Sequence, residues 1–388
     1  MSPLGHDAAS VNKAYTAGQP AFKNILHNGE LTPVAPLAAR AEDELQKLLK
    51  TNPSYKQLDR SVLLAMYAAR QAANEAGWLH ENAPVSDDLA VNIGSSRGAT
   101  GLFEQHFESF QQSINGQTLP GASPTTTLGN LSSWVAHAVN AGGAQISHSI
   151  TCSTALMAIA NASAWLRSGM AQRFLAGGTE APLTPFTIAQ MKAVGIYSKL
   201  TDSPYPCQPY TLSKQNTFVL GEGAAVFALE LADETSLKQG DIIIEAVGLG
   251  FEKIVSKTGI STEGINFQKA MRHALSQLPA NDQKIDLIVT HTPGTKAGDS
   301  AELQAIDAIF KNESVAITTN KWLIGHTLGA SGALSLQYGM HLLSSQCMNQ
   351  LPYFSENIFA SNYPILRILI NAAGFGGNAA SIVLKVIP

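Results

Sequence analysis

Three side chains of this 388-residue sequence stand where they could make and break an acyl bond: Cys152, His291 and His326. Cys152 lies in Ser149-Ile150-Thr151-Cys152-Ser153-Thr154, where an extended segment ends and a helical one opens. Backbone N–H groups and the dipole at a helix N-terminus favour a thiolate. The same groups can hydrogen-bond an oxyanion forming on an attacked carbonyl. Taken alone, such a cysteine reads more readily as a small buried hydrophobe. His291 directly follows the apolar run from Ile285 to Thr290, at the C-terminal end of a strand, where α/β folds place their sites. It opens a turn-rich loop to Glu302 in which Asp299 is placed to cap the next helix. His326 lies in Lys321-Trp322-Leu323-Ile324-Gly325-His326-Thr327, before a helix of small residues. Either histidine alone reads as a satisfied core residue. The cysteine, both histidines and the loop Gly374-Phe375-Gly376-Gly377 together form a more specific set, suited to acyl transfer through a thioester.

The elements that must position this set alternate. Helical spacing runs from about Ala35 to Lys50 and from Leu58 to Gly77, then from Ala155 to Arg167, Ala301 to Phe310 and Gly332 to Leu343. Strand-like runs are Leu89–Ile93, Arg173–Ala176, Asp241–Val247, Ile285–Thr290, Ile365–Ile370 and Ala380–Val386. Phe218–Val219 and Ala224–Leu231 flank Gly221-Glu222-Gly223 as a hairpin or bulged strand, and the strand from Arg173 to Ala176 leads into Gly177-Gly178-Thr179-Glu180. Strands apolar on both faces indicate a layered α/β fold with covered sheets. The order of elements suggests two duplicated halves, residues 1–232 and 233–388.

Composition narrows the class. Lys and Arg number 25 against 29 Asp and Glu, a net charge of −4, too balanced for a basic nucleic-acid binder. The three cysteines are odd in number and unpatterned, and the start carries no secretory signal, which points to the cytoplasm. No apolar run is long enough to span a bilayer. Only 14% of residues are charged, against about 25% in an ordinary soluble domain. The deficit is local, since the 58 residues from Ser109 to Leu166 hold no Asp, Glu, Lys or Arg. Such a stretch belongs in the centre of the fold, in a subunit interface, or both.

Six segments in the correct order resemble the β-ketoacyl-acyl carrier protein synthases of the thiolase superfamily. They are Ser2-Pro3-Leu4-Gly5, Thr151-Cys152-Ser153-Thr154, Gly177-Gly178-Thr179-Glu180, the stretch from His291 to Glu302, Lys321 with His326, and Asn371-Ala372-Ala373-Gly374-Phe375-Gly376-Gly377. The resemblance covers nearly the whole chain and implies a layered α-β-α-β-α fold from two related halves. It implies that Cys152 takes an acyl chain from the phosphopantetheine of a carrier protein, and that His291 and His326 promote decarboxylation of a malonyl thioester. Two histidines imply the elongating class. Lys321 and Glu302 are implied to form a buried pair. The amides of Cys152 and Phe375 are implied to form an oxyanion hole within the Gly374–Gly376 loop, with Phe375 as gate. Thr295 and Thr327 are implied to hold the carrier arm. No bound metal or cofactor is implied.

The sequence also departs from that family. Its first Val/Ile-rich strand is absent, Pro293 replaces a pantetheine-holding threonine, and the stretch from Pro209 to Val219 lacks an Asp and an Arg. These differences favour a polyketide or polyene pathway over housekeeping fatty-acid synthesis. Carrier proteins are acidic, so Lys56, Arg60, Lys192, Lys199 and Lys214 are candidate docking residues. The expected partners are the carrier and a second subunit, either another copy or a chain-length-factor-like homologue. The alternatives are that this chain is itself the non-catalytic partner, or a thiolase, which would need a second cysteine near residues 374–377.

Overall fold

Apolar runs broken by small residues become two sheets in a computed structural model that describes residues 1–79, 84–211, 215–253, 260–311, 315–354 and 364–388. A hairpin, β1 (Lys23–His27) with β2 (Glu30–Val34), precedes them. The first sheet contains β3 (Leu89–Gly94), β4 (Gln145–His148), β5 (Arg173–Glu180) and β6 (Gly223–Glu230) in the order β4-β3-β5-β6. In it β4, β3 and β5 run parallel, with β6 antiparallel to β5. The second sheet contains β7 (Ile242–Phe251), β8 (Leu287–Val289), β9 (Ala316–Thr318), β10 (Arg367–Gly374) and β11 (Asn378–Val386). Its order is β7-β11-β10-β8-β9, again parallel at the centre and antiparallel toward one edge. Every residue of β3 and β8 is buried, which is why these strands read as continuous apolar runs without alternation.

Two helices, Thr154–Ser168 and Ser331–Ser345, pack on each other and on both sheets. Small side chains allow this: a Cβ at Gly332 would lie 2.7 Å from Leu156 Cγ. Arg60–Glu75 and Asn130–Val139 cover the outer face of the first sheet, and Ile265–Leu275 covers that of the second. The result is five layers, α-β-α-β-α, as the sequence led us to expect. Helix starts follow capping chemistry. Asp59 accepts the Ser61 amide at 2.8 Å to open Arg60–Glu75.

Several expectations change in detail. Gly177 to Glu180, into which the strand from Arg173 was expected to lead, is itself part of β5, paired with Gly223 to Val226. A side chain at Gly177 would run into the Ala225 carbonyl, so the glycine serves close approach. Phe218 to Leu220 does not form a hairpin with β6 but bridges to Tyr197 and His326. Asp299 does not cap helix Lys296–Phe310. Thr295 does, accepting the Gly298 amide, while Asp299 accepts the amides of Tyr210, Gly294 and Thr295.

The two sheets differ at one edge. In the second, β7 covers β11; in the first, β6 is the last strand. Met1 alone exchanges a pair of 2.9 Å hydrogen bonds with Ala224, and a groove of about 440 Å³ runs along the rest of β6. Among the described residues no further strand pairs with this edge of β6. The uncharged stretch divides likewise. Its helix from Thr154 is packed between the two sheets, β4 forms the half-buried edge of the first sheet, and Phe110, Ile114 and Leu119 stand exposed.

Candidate active site

Cys152 sits on a tight turn. β4 ends at His148, Thr151 takes a φ of +50°, and helix Thr154–Ser168 follows with Ser153 at its N-cap. Hydroxyls hold the turn. Thr154 Oγ1 accepts the Ile150 amide (2.8 Å) and donates to Thr151 O (2.5 Å), and Ser153 Oγ donates to Ile150 O (2.9 Å). Thr151 Oγ1 donates to Phe375 O at 3.0 Å, tying the glycine loop of the second sheet to this turn. That approach requires Gly374, where a Cβ would strike Thr151 Oγ1 and lie 2.7 Å from Cys152 N. Gly376 has a φ of +100°, which turns the chain from β10 into β11.

A pocket of about 150 Å³ joins Cys152, His291, His326, Phe218, Leu328 and Phe375. Phe375 is 44% exposed at this pocket. Thr295 and Pro293 also line it, although Thr295 Oγ1 is engaged as a helix cap. Thr327, expected to hold the carrier arm, does not line it; its methyl faces Gly221 in the interior.

The two imidazoles meet edge to face, with ring centroids 5.1 Å apart at 83°. His291 follows β8 and donates its amide to Glu302 Oε1 at 2.9 Å. His326 donates its amide to Val219 O at 2.7 Å. Its Nδ1 accepts the Leu328 amide at 3.1 Å. An accepting Nδ1 carries no proton, so neutral His326 bears its hydrogen on Nε2. Burial, with the Lys321 charge adding to it, pushes His291 down to about 3. Burial and the His291 and Lys321 charges take His326 well below the usual imidazole range. Both rings are neutral at physiological pH.

The thiol corrects an expectation. Cys152 is buried, and loss of hydration, reinforced by the Glu180 charge, pushes it up to about 12. It therefore rests as a thiol, because desolvation outweighs the helix N-terminus. Cys207, the other buried cysteine, is also held up by burial.

The expected Lys321–Glu302 ion pair is absent among the described residues. Lys321 Nζ donates to Ser335 Oγ (3.1 Å) and Asn320 Oδ1 (3.3 Å). Glu302 collects the amides of His291 and Thr292 and the side chain of Asn371 at 2.8–3.1 Å. The two charges act through space: Glu302 partly offsets the burial that lowers Lys321 to about 8. Asn371 and Glu180 were not assigned roles from sequence, since their partners lie far along the chain. Among the expected docking residues, Arg60 is spent on Glu42 and Glu222 and Lys192 pairs with Glu30 at 3.2 Å. Lys56 and Lys199 are exposed, and Lys214 lies outside the described residues. Among the described residues no cluster of three metal-ligating side chains occurs, and no helix is long and apolar enough to cross a membrane.

Residues 32–235 match the family described as beta-ketoacyl synthase, N-terminal domain, and residues 243–352 match its C-terminal domain. A 3-oxoacyl-[acyl-carrier-protein] synthase 2 of Coxiella burnetii is 28% identical over 337 residues, covering 86% of this chain and 81% of that protein. Two solved structures share the fold over the whole chain. A type II polyketide-synthase acyl-carrier protein in complex with its ketosynthase matches with a TM-score of 0.84 at 18% identity, over 97% of that chain. A ketosynthase in complex with its chain length factor from Xenorhabdus doucetiae matches with a TM-score of 0.81 at 21% identity, over 96% of that chain. With its fold, its motifs and 314 of its residues within both domains of one family, the chain belongs to the β-ketoacyl synthases.

Proposed function

We propose that this protein is an elongating β-ketoacyl-acyl carrier protein synthase. One observation carries the reading: Cys152 and two neutral histidines share a single, largely apolar pocket, with the tautomer of His326 fixed as a donor. In the first half-reaction the Cys152 sulfur attacks the thioester of an acyl chain on a carrier phosphopantetheine. A C–S bond forms on Cys152, the carrier leaves as its thiol, and the acyl group stays on the enzyme. The resting thiol must lose its proton as it attacks. His291, whose buried Nδ1 has no hydrogen-bond partner among the described residues, is the imidazole placed to receive it and pass it to the departing carrier sulfur.

In the second half-reaction a malonyl thioester loses CO₂. The electrons of the broken C–C bond move onto the thioester oxygen, and Nε2–H of His326 hydrogen-bonds that developing charge. A neutral donor of this kind in a water-poor pocket is worth more than in bulk solvent. The enolate carbon then attacks the acyl-Cys152 carbonyl, and Cys152 departs and regains its proton. The buried Glu302, held by Asn371, sets the His291 loop through the amides of His291 and Thr292.

The exposed apolar side chains Phe110, Ile114 and Leu119, on a stretch without charges, form the face for a second subunit, another copy or a chain-length-factor-like homologue. Exposed Lys56 and Lys199 are the remaining docking points for an acidic carrier. The departures at Pro293 and at residues 209–219 favour a polyketide or polyene chain. Incubation with acyl-carrier protein followed by intact-mass analysis tests the reading. An acyl adduct on Cys152 that is discharged when malonyl-carrier is added, with a β-ketoacyl chain two carbons longer appearing on the carrier, supports it; no adduct on Cys152 refutes it.

A further inference from the structure

Glu180 lies outside the pocket lining, yet loops from both sheets meet on its carboxylate. It ends β5 at 1% exposure. Oε1 accepts Ser95 Oγ (2.8 Å) and the Arg97 amide (3.1 Å), both from the loop after β3. Oε2 accepts the amides of Ser96 and of Gly329, each at 2.8 Å. Gly329 belongs to the short turn Leu328–Ala330 that follows His326.

That turn has a mechanical role. Leu328 has a φ of +42°, a left-handed conformation that a leucine avoids and that surrounding structure must impose. In this conformation its amide donates to His326 Nδ1. Gly329 is required next: a Cβ there would strike Ser96 N and lie 2.6 Å from Glu180 Oε2. The backbone of His326 is anchored elsewhere, its amide to Val219 O and its carbonyl to the Gly221 amide at 3.0 Å. Only the ring's tautomer and tilt depend on the Leu328 turn.

We propose that Glu180 is a positioning residue for His326: its carboxylate clamps the Leu328–Gly329 turn to the Ser95–Arg97 loop and so keeps the proton of His326 on Nε2. Four donors occupy the two oxygens, which an ionised carboxylate accepts without conflict. A glutamine has the same shape, but its NH₂ faces two of those donors whichever way the amide is turned. The clamp then opens on one side. The same carboxylate raises the Cys152 thiol, so neutralising it has the opposite consequence there. This inference rests on the proposed decarboxylation by His326.

The test is Glu180→Gln in the full chain, with two readouts. Two-bond ¹⁵N–¹H spectra of ¹⁵N-histidine protein, with His326 assigned by its loss in His326→Ala, report the tautomer. The wild type shows the Nε2–H form, and Glu180→Gln shows a mixture. Malonyl-carrier decarboxylation falls about tenfold or more, while iodoacetamide alkylates Cys152 at least as fast as in the wild type. A merely structural role would slow both reactions together, and that result, or an unchanged tautomer, overturns the proposal. If Glu180→Gln does not fold, Gly329→Ala opens the clamp with the charge left in place. It should lose the tautomer without speeding alkylation, and retention of the tautomer would again overturn the proposal. A wild type with no decarboxylation would sink the ketosynthase reading, while the tautomer comparison still decides the role of Glu180.

Discussion

The two sheets handle their central loops alike and their edges differently. In the first, the loop after the central strand β3 gives the amides of Ser96 and Arg97 to buried Glu180. In the second, the loop after β8 gives the amides of His291 and Thr292 to buried Glu302. Burial lifts both carboxyls to about 7, and the gathered N–H groups hold them against that cost. At the outer edge the resemblance ends: β7 seals the second sheet, whereas β6 lies uncovered beyond Ala224. Geometry is duplicated where loops must be held within hydrogen-bond tolerance, and relaxed where nothing reacts. The proposed chemistry is split, with Cys152 on the first sheet and the histidines on the second.

That division of labour can be broken by substitution. The largest effect belongs to Cys152→Ala, which abolishes acyl loading and condensation while malonyl-carrier decarboxylation, followed by CO₂ release, continues. Next, His326→Ala cuts decarboxylation by about 10²–10³-fold, the range for losing one oxyanion donor. Acyl loading of Cys152, followed by intact mass, stays intact. The contact between the sheets is probed by Gly374→Ala. Its new Cβ collides with the Cys152 turn, so urea unfolding should show a loss of about 1–3 kcal/mol. Gly121→Ala, with no atom within 4 Å of the new Cβ, should change little.

The thiol offers a pH test with a definite sign. A pKa raised to about 12 leaves the thiolate fraction growing tenfold per pH unit below that value. Iodoacetamide alkylation of Cys152 should therefore climb log-linearly from pH 7 to 9. A plateau below pH 8 would show a thiolate stabilised by the helix start instead. The smallest effect concerns the edges. Outward-facing amides of β6 beyond Ala224 should exchange with deuterium faster than those of β11, which lies between β10 and β7. Equal protection would mean that the first edge is covered in solution.

Residue type made the reactive set legible. Cys152, His291 and His326 each stand beside turn residues and apolar runs, so strand ends and helix starts could be placed from sequence. The strand from Arg173 runs on through Gly177 to Glu180, because the glycine allows close approach to Ala225. Lys321 and Glu302 were expected to pair because the family resemblance implied it. The structure satisfies each with nearer polar groups, Ser335 and Asn320 for one and backbone amides for the other. The role of Glu180 was illegible for another reason. Its donors are 84 and 149 residues away in the chain, and spacing along one strand carries no trace of them.

The most direct test of the split assignment is intact-mass analysis of wild type and His326→Ala after mixing with acyl- and malonyl-carrier proteins. The account predicts that the wild type turns over, whereas His326→Ala accumulates the unextended acyl chain on Cys152. Loss of the Cys152 adduct in His326→Ala, or an adduct on another residue in the wild type, would contradict it.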